Sequence, residues 1–170
     1  MRYALLFVLL LSAWLPATSA KPPGALLRVL VFLETECPIS QKVTRRVQDL
    51  ANAYAGQVTF ETVYPTQTVT EKEVQAFQRT YALRLTPRLD PNHHLVNRYH
   101  ATTTPEVILL SANDQILYQG AIDNQFYKLG KYRPAPTEFF LKDAIVASLQ
   151  GRPVATKLVT PIGCLINRAD

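Results

Sequence analysis

The sequence predicts an α/β domain with a mixed central sheet and helices on both faces, and three patterns carry that reading. Between residues 26 and 83, β-type apolar runs alternate with helical periodicity, which implies parallel strands joined by crossover helices. Two later apolar runs, 105–111 and 115–122, flank Ala112-Asn113-Asp114, a tight-turn signal for an antiparallel hairpin. A last helical stretch then closes at Gly151.

Residues 26–33 form a Leu- and Val-rich run without polar alternation, the pattern of a strand buried on both faces. Helical spacing follows over 38–55, with Ile39, Val43, Val47, Leu50 and Tyr54 on one side and Gly56 as the stop. Residues 57–64 alternate as a strand and end at Pro65. Thr70-Glu71-Lys72-Glu73 is a capping-box signature for a helix to about Leu83, with Val74, Phe77 and Tyr81 on its apolar side. A short extended piece at 88–90 and a short helix at 92–100 precede the hairpin. The final helix is expected over 137–150, capped by Thr137. Arg133-Pro134-Ala135-Pro136 reads as a loop, and residues 152–170 as a tail without periodicity.

Residues 1–20 combine Arg2, an apolar run from Ala4 to Leu15 and the small-residue ending Ala17-Thr18-Ser19-Ala20, which reads as a secretory signal cleaved before Lys21. The run is shorter than the roughly 20 residues a spanning helix needs, so no stable membrane insertion is expected after cleavage. Residues 21–24 read as a leader, 21–151 as one domain, and 152–170 as a tail carrying Cys164. Export places the protein in a periplasmic or secreted, oxidising setting. A net charge of +5 is modest and scattered, so nothing points to nucleic acid.

The chain has two cysteines, Cys37 and Cys164, at opposite ends of the domain. Cys37 stands in Glu36-Cys37-Pro38-Ile39-Ser40, where strand gives way to helix. Its sulfur is therefore expected at a helix N-terminus, where unpaired N–H groups and the helix dipole favour a thiolate. Glu34 and Glu36 oppose this by adding negative charge nearby. Three readings of Cys37 stay open: a redox-active thiol, one end of a structural disulfide, or a metal ligand. Cys164 is correspondingly a resolving thiol or the anchor of the tail. As a bridge, the pair would close so long a loop that the chain-entropy estimate is about 4–5 kcal/mol.

Several strings resemble the thioredoxin fold, in its redoxin branch of peroxiredoxin-like (AhpC/TSA-like) proteins of exported bacterial type. They are the strand running into Cys37-Pro38-Ile39-Ser40, then Thr104-Pro105-Glu106-Val107, Tyr118-Gln119-Gly120-Ala121-Ile122-Asp123-Asn124, and Gly163-Cys164-Leu165-Ile166. The resemblance covers most of residues 26–150. It implies a three-layer α/β/α fold, a cis Thr104–Pro105 bond facing Cys37, and a substrate-binding role for Thr104 and Pro105, whose backbone pairs with an extended peptide. Some redoxins of this set are fused to c-type cytochrome or copper monooxygenase modules, but this chain has no Cys-x-x-Cys-His haem site. Ser40 stands where thioredoxins carry their second cysteine, so a lone Cys37 needs a remote partner. Glu34 and Leu30 occupy the positions of the peroxidatic Thr and Pro, which argues against peroxidase activity.

His93, His94 and His100 raise a metal reading, but they lack His-x-x-x-His spacing and read as solvated or capping residues; no metal or cofactor is expected. Asp123 reads as a turn residue at a strand end. Lys42, Arg45 and Arg46 read as a solvated helix face. Two functions follow. One is an exported thiol–disulfide oxidoreductase, with Cys37 and Cys164 catalytic and a protein thiol or disulfide as partner. The other is a non-catalytic accessory or assembly module for a cytochrome or copper enzyme, with a structural Cys37–Cys164 disulfide.

Overall fold

The structure is a computed structural model that describes residues 27–168. The expected signal segment 1–20, the leader 21–24 and Leu26 lie outside the described residues. The first strand, β1 (Leu27–Phe32), sits at the centre of a six-stranded sheet, as a run apolar at every position but Arg28 demands. Leu27, Val29 and Val31 point into one core, and Leu30 and Phe32 into another on the opposite face.

Helix α1 (Pro38–Ala53) follows β1 and leads back to β2 (Val58–Tyr64), which pairs with β1 in parallel. The turn between them uses Gly56 at φ +80°, a left-handed conformation that glycine adopts without a Cβ penalty. Helix α2 (Glu71–Thr80) opens with the predicted capping box: the Glu73 N–H donates to Thr70 Oγ1 at 3.3 Å, and the Thr70 N–H donates to the Glu73 carboxylate at 2.8 Å. It leads to β3 (Thr86–Leu89), parallel to β2 at the sheet edge. Helix α3 (His94–Tyr99) is started by buried Asp90, whose carboxylate accepts the Leu95 and Val96 N–H groups at 2.9 and 3.0 Å.

Two residues of extended chain, β4 (Thr103–Thr104), precede β5 (Glu106–Leu110), which lies antiparallel to β1 and forms the expected hairpin with β6 (Ile116–Gly120). The core of α1, α2 and the last helix lies on one sheet face and that of α3 on the other, giving three layers. A small hairpin, β7 (Phe126–Lys128) with β8 (Lys131–Tyr132), was not foreseen, because strands this short carry no readable period.

Helix α4 (Phe140–Leu149) begins later than the sequence suggests, and Thr137 does not cap it. Asn124 is the reason: its side-chain oxygen accepts the Thr137 and Glu138 N–H groups at 2.9 and 3.2 Å, holding both ahead of the helix. The end at Gly151 is as expected. The Gly151 N–H bonds to the Ser148 carbonyl and the Arg152 N–H to that of Ala147, a Schellman pair with glycine at φ +68°.

The segment read as an aperiodic tail makes two further strands. β9 (Leu158–Val159) runs parallel to β6 as the sixth strand, and β10 (Cys164–Leu165) pairs antiparallel with β4. Gly120 makes the first junction possible. At φ +127°, its notional Cβ would lie 1.7 Å from the Val159 carbonyl oxygen. Gly120→Ala is therefore expected to cost about 2 kcal/mol or more and to lower Tm by roughly 5 °C or more, read by thermal circular dichroism.

Candidate functional site

Cys37 occupies the N-cap of α1 with extended backbone (φ −77°, ψ 115°), and Pro38 fills the first helical position. This is the helix N-terminal placement that the Cys-Pro spacing suggests. The side chain does not cap the helix; it is 1% exposed and packs into the main core. The Cys37 thiol meets two partners brought from elsewhere. Its S–H faces the Thr104 carbonyl oxygen at 3.2 Å, and the Cys164 S–H donates to its sulfur at 2.7 Å. Both cysteines stand as free thiols.

All four predicted site residues therefore converge. Thr104–Pro105 is a cis peptide bond, and buried Thr104 pairs in register with Cys164, with Leu165 opposite Thr103. The Ile166 N–H extends the ladder to the Thr102 carbonyl at 3.0 Å. One expectation needs correcting here: Cys164 does not lie in an irregular arm. The backbone edge of Thr103 and Thr104, expected to receive a partner peptide, is filled by the chain's own tail.

The two thiols differ in acidity. Burial pushes the Cys37 thiol up, but hydrogen bonds from the Cys164 thiol, from the Ser40 backbone and hydroxyl, and from the Cys164 backbone outweigh it and hold Cys37 below its ordinary value. Cys164 is pushed up to about 12, first by burial, then by its hydrogen bond to Cys37 and the negative charges of Cys37 and Glu34. Glu34 thus acts on Cys164, and Glu36 is exposed. The expectation that both would raise Cys37 followed their order along the chain rather than their position in space. Chemically, the pair can cycle between dithiol and disulfide with Cys37 as the thiolate.

The supporting roles of three residues escaped the sequence reading. Ser40, fully buried, bonds to Cys37 rather than merely replacing a cysteine, and its Oγ accepts the Glu34 N–H at 3.3 Å. Glu34 accepts from the Thr66 and Thr104 hydroxyls at 3.3 and 3.5 Å, and lines a cavity of about 170 Å³ beside the thiols with Thr66, Thr104 and Leu165. Glu106, 2% exposed, accepts the Thr102 and Thr103 N–H groups at 2.8 and 3.2 Å and the Gln119 side-chain amide at 2.7 Å. A charged residue inside an otherwise apolar strand was the available signal for it.

The other singled-out residues lie apart from the thiols. His93 is buried, with Nε2 2.8 Å from the Pro65 carbonyl, whereas His94 and His100 are exposed. Among the described residues no three His, Cys, Asp or Glu side chains converge as a metal site. Asp123 makes the expected turn by accepting the Gln125 N–H at 2.9 Å, and it also pairs with Arg46 at 2.7 Å. Arg46 is therefore not part of a solvated face, Lys42 lies 4.2 Å from the Tyr132 ring centroid, and Arg45 stays solvated, with Asp49 at 4.0 Å one turn along the helix.

No family model matches the sequence, and no curated protein matches it significantly. Solved structures do match the fold. An uncharacterized conserved protein from Geobacillus kaustophilus aligns over 85% of this chain and 78% of its own at TM-score 0.75 and 22% identity. A hypothetical protein from Sinorhizobium meliloti 1021 aligns over 84% and 80% at TM-score 0.70 and 23% identity. A candidate thiol:disulfide interchange protein, DsbE, from Chlorobium tepidum aligns over 73% and 80% at TM-score 0.58 and 18% identity. The fold is thioredoxin-like, and thiol–disulfide oxidoreductases share it.

In the reduced protein, the pH dependence of iodoacetamide alkylation is expected to label Cys37 first, with an apparent pKa below 9, and Cys164 only at much higher pH. A low pKa means that the rate falls as pH drops through it. Cys164→Ala removes the principal lowering hydrogen bond, so the Cys37 profile should move to higher pH. An unchanged or lowered profile would count against the assignment of the Cys164 bond.

Proposed function

We propose that this protein is an exported thiol–disulfide oxidoreductase in which Cys37 attacks and Cys164 resolves. The observation that carries the reading is a thiol pair 2.7 Å apart whose acidities are displaced in opposite directions, Cys37 downward and Cys164 upward. The Cys37 thiolate attacks one sulfur of a protein disulfide, and the other sulfur leaves as a thiol after taking a proton. Cys164, losing its proton, then attacks the Cys37 sulfur of the mixed disulfide. The substrate's second thiol is released and the Cys37–Cys164 disulfide forms. Two electrons pass to the substrate, and a dithiol reductant restores the starting state.

The fold shared with thiol–disulfide oxidoreductases supports this chemistry. The secretory pattern of residues 1–20 supports export, and no helix among the described residues is long and apolar enough to cross a membrane. Within the redoxin group, disulfide exchange fits better than peroxide reduction. Glu34 replaces the peroxidatic threonine, and its carboxylate, which accepts from the Thr104 hydroxyl at 3.5 Å, puts a negative charge beside the thiols in place of a hydroxyl.

The deciding experiment is non-reducing electrophoresis of Cys37→Ser and Cys164→Ser variants after acid quenching in an exporting bacterial host. Cys164→Ser should accumulate mixed disulfides, because Ser40 cannot resolve them, and Cys37→Ser should accumulate few. Equal absence of adducts, with matching losses of thermal stability, would favour a structural bridge and the accessory-module reading. Stopped-flow mixing of the reduced protein with hydrogen peroxide should show slow oxidation of Cys37; rapid second-order oxidation would restore the peroxidase reading.

A further inference from the structure

The tail strand β10 does more than deliver Cys164. It fills the backbone edge of β4 beside Cys37, where an incoming peptide would pair. Among the described residues β4 pairs with no other strand, and its register with the tail sets Thr104 opposite Cys164, Thr103 opposite Leu165 and Thr102 against the Ile166 N–H. A substrate cysteine aligned with Thr104 needs the place that Cys164 holds, and one edge accepts one strand.

Each tail residue meets a distinct requirement. Gly163 lies so close to β4 that a Cβ would stand 2.2 Å from the Thr104 carbonyl oxygen and 2.7 Å from its carbon. Its φ is outside the left-handed region, so the contact, not the conformation, calls for glycine. Leu165 faces outward at 79% exposure, so its position is permissive. Ile166 points the other way and packs against the second core, the cluster that holds Leu30, Phe32 and Ile108. Alternation along an extended strand thus yields a template: glycine, cysteine, any residue, aliphatic.

We propose that β10 is a resident pseudo-substrate, and that the clients are extended cysteine-bearing segments of the pattern Gly-Cys-x-aliphatic, which exchange with it on β4. The proposal rests on the oxidoreductase reading of the Cys37–Cys164 pair. The client strand displaces β10, and Cys37 attacks the client cysteine's disulfide as described above. The return of β10 then expels the client strand as Cys164 takes over the bond to Cys37. Binding and resolution are mutually exclusive states of one edge.

The test uses the mature chain carrying Cys164→Ser and the peptide Thr-Pro-Ile-Gly-Cys-Leu-Ile-Asn-Arg, its cysteine joined to thionitrobenzoate. Two control peptides carry Ala for the Gly or Asp for the second Ile. Release of thionitrobenzoate should be at least about tenfold faster for the Gly peptide than for either control. Adding Gly163→Ala to the protein should accelerate the Gly peptide by a similar factor, with loss of hydrogen-exchange protection confined to the β4–β10 ladder, the Ile166 amide included. Ile166→Asp opens the same edge by a different contact should Gly163→Ala not fold. Equal rates for the three peptides would overturn the template while leaving the oxidoreductase reading intact. If Cys37 reacts neither with these peptides nor with glutathione disulfide, the oxidoreductase reading fails. The seat is then judged by fluorescence anisotropy of Ser-for-Cys peptides on the opened variant: binding at least about tenfold tighter for the Gly peptide upholds it, and equal binding overturns it.

Discussion

The Glu106 carboxylate is the constraint on which the arrangement around the thiols depends. It is buried at the start of β5, directly after the cis proline, and satisfies the backbone N–H groups of Thr102 and Thr103 and the Gln119 side chain. A carboxylate removed from water is tolerable only with such partners. Those partners hold residues 102–104 in the extended form that pairs with β10 and aims the Thr104 carbonyl at Cys37. An alanine here would leave the buried Thr103 N–H and its neighbour at Thr102 without their acceptor and release the segment where sulfur, proline and tail meet.

The site is assembled from pieces distant in sequence, each fixed by a different part of the fold. β1 and the start of α1 place Cys37, because the strand is locked by burial on both faces and the helix starts at Pro38. The hairpin of β5 and β6 places the proline turn, and the same β6 carries β9 and therefore the tail. Asymmetry between the thiols follows. Cys37 lies at the end of a helix among donors, whereas Cys164 lies on a strand, next to a negative sulfur and a carboxylate. Their chemistry differs although they touch.

Long elements were legible in the sequence because burial writes a period into them. The Leu- and Val-rich run of β1, the α1 stripe through Val43 and Val47, and the Thr70–Glu73 box all behave as read. Cys37 at the start of a helix was legible for the same reason, since Pro38 marks the boundary. What stayed hidden depended on contacts between distant residues. Strands of two residues have no period, so β9 and β10 passed as irregular chain. Asn124 overrode Thr137 as the local organiser, Asp123 captured Arg46 from its helix face, and Glu34 turned toward Cys164 rather than its near neighbour Cys37. None of these pairings is encoded within a window of sequence.

The anchoring of β9 has a kinetic consequence. Val159 is held against Gly120 by the main sheet, so a released β10 stays tethered there, with Cys164 five residues further along. Five extended residues reach about 17 Å. Within so small a volume a tethered thiol has an effective concentration in the millimolar range or above. A free thiol in the surroundings must match that concentration before it can intercept an intermediate on Cys37, so short tether length protects the reaction from small-molecule thiols.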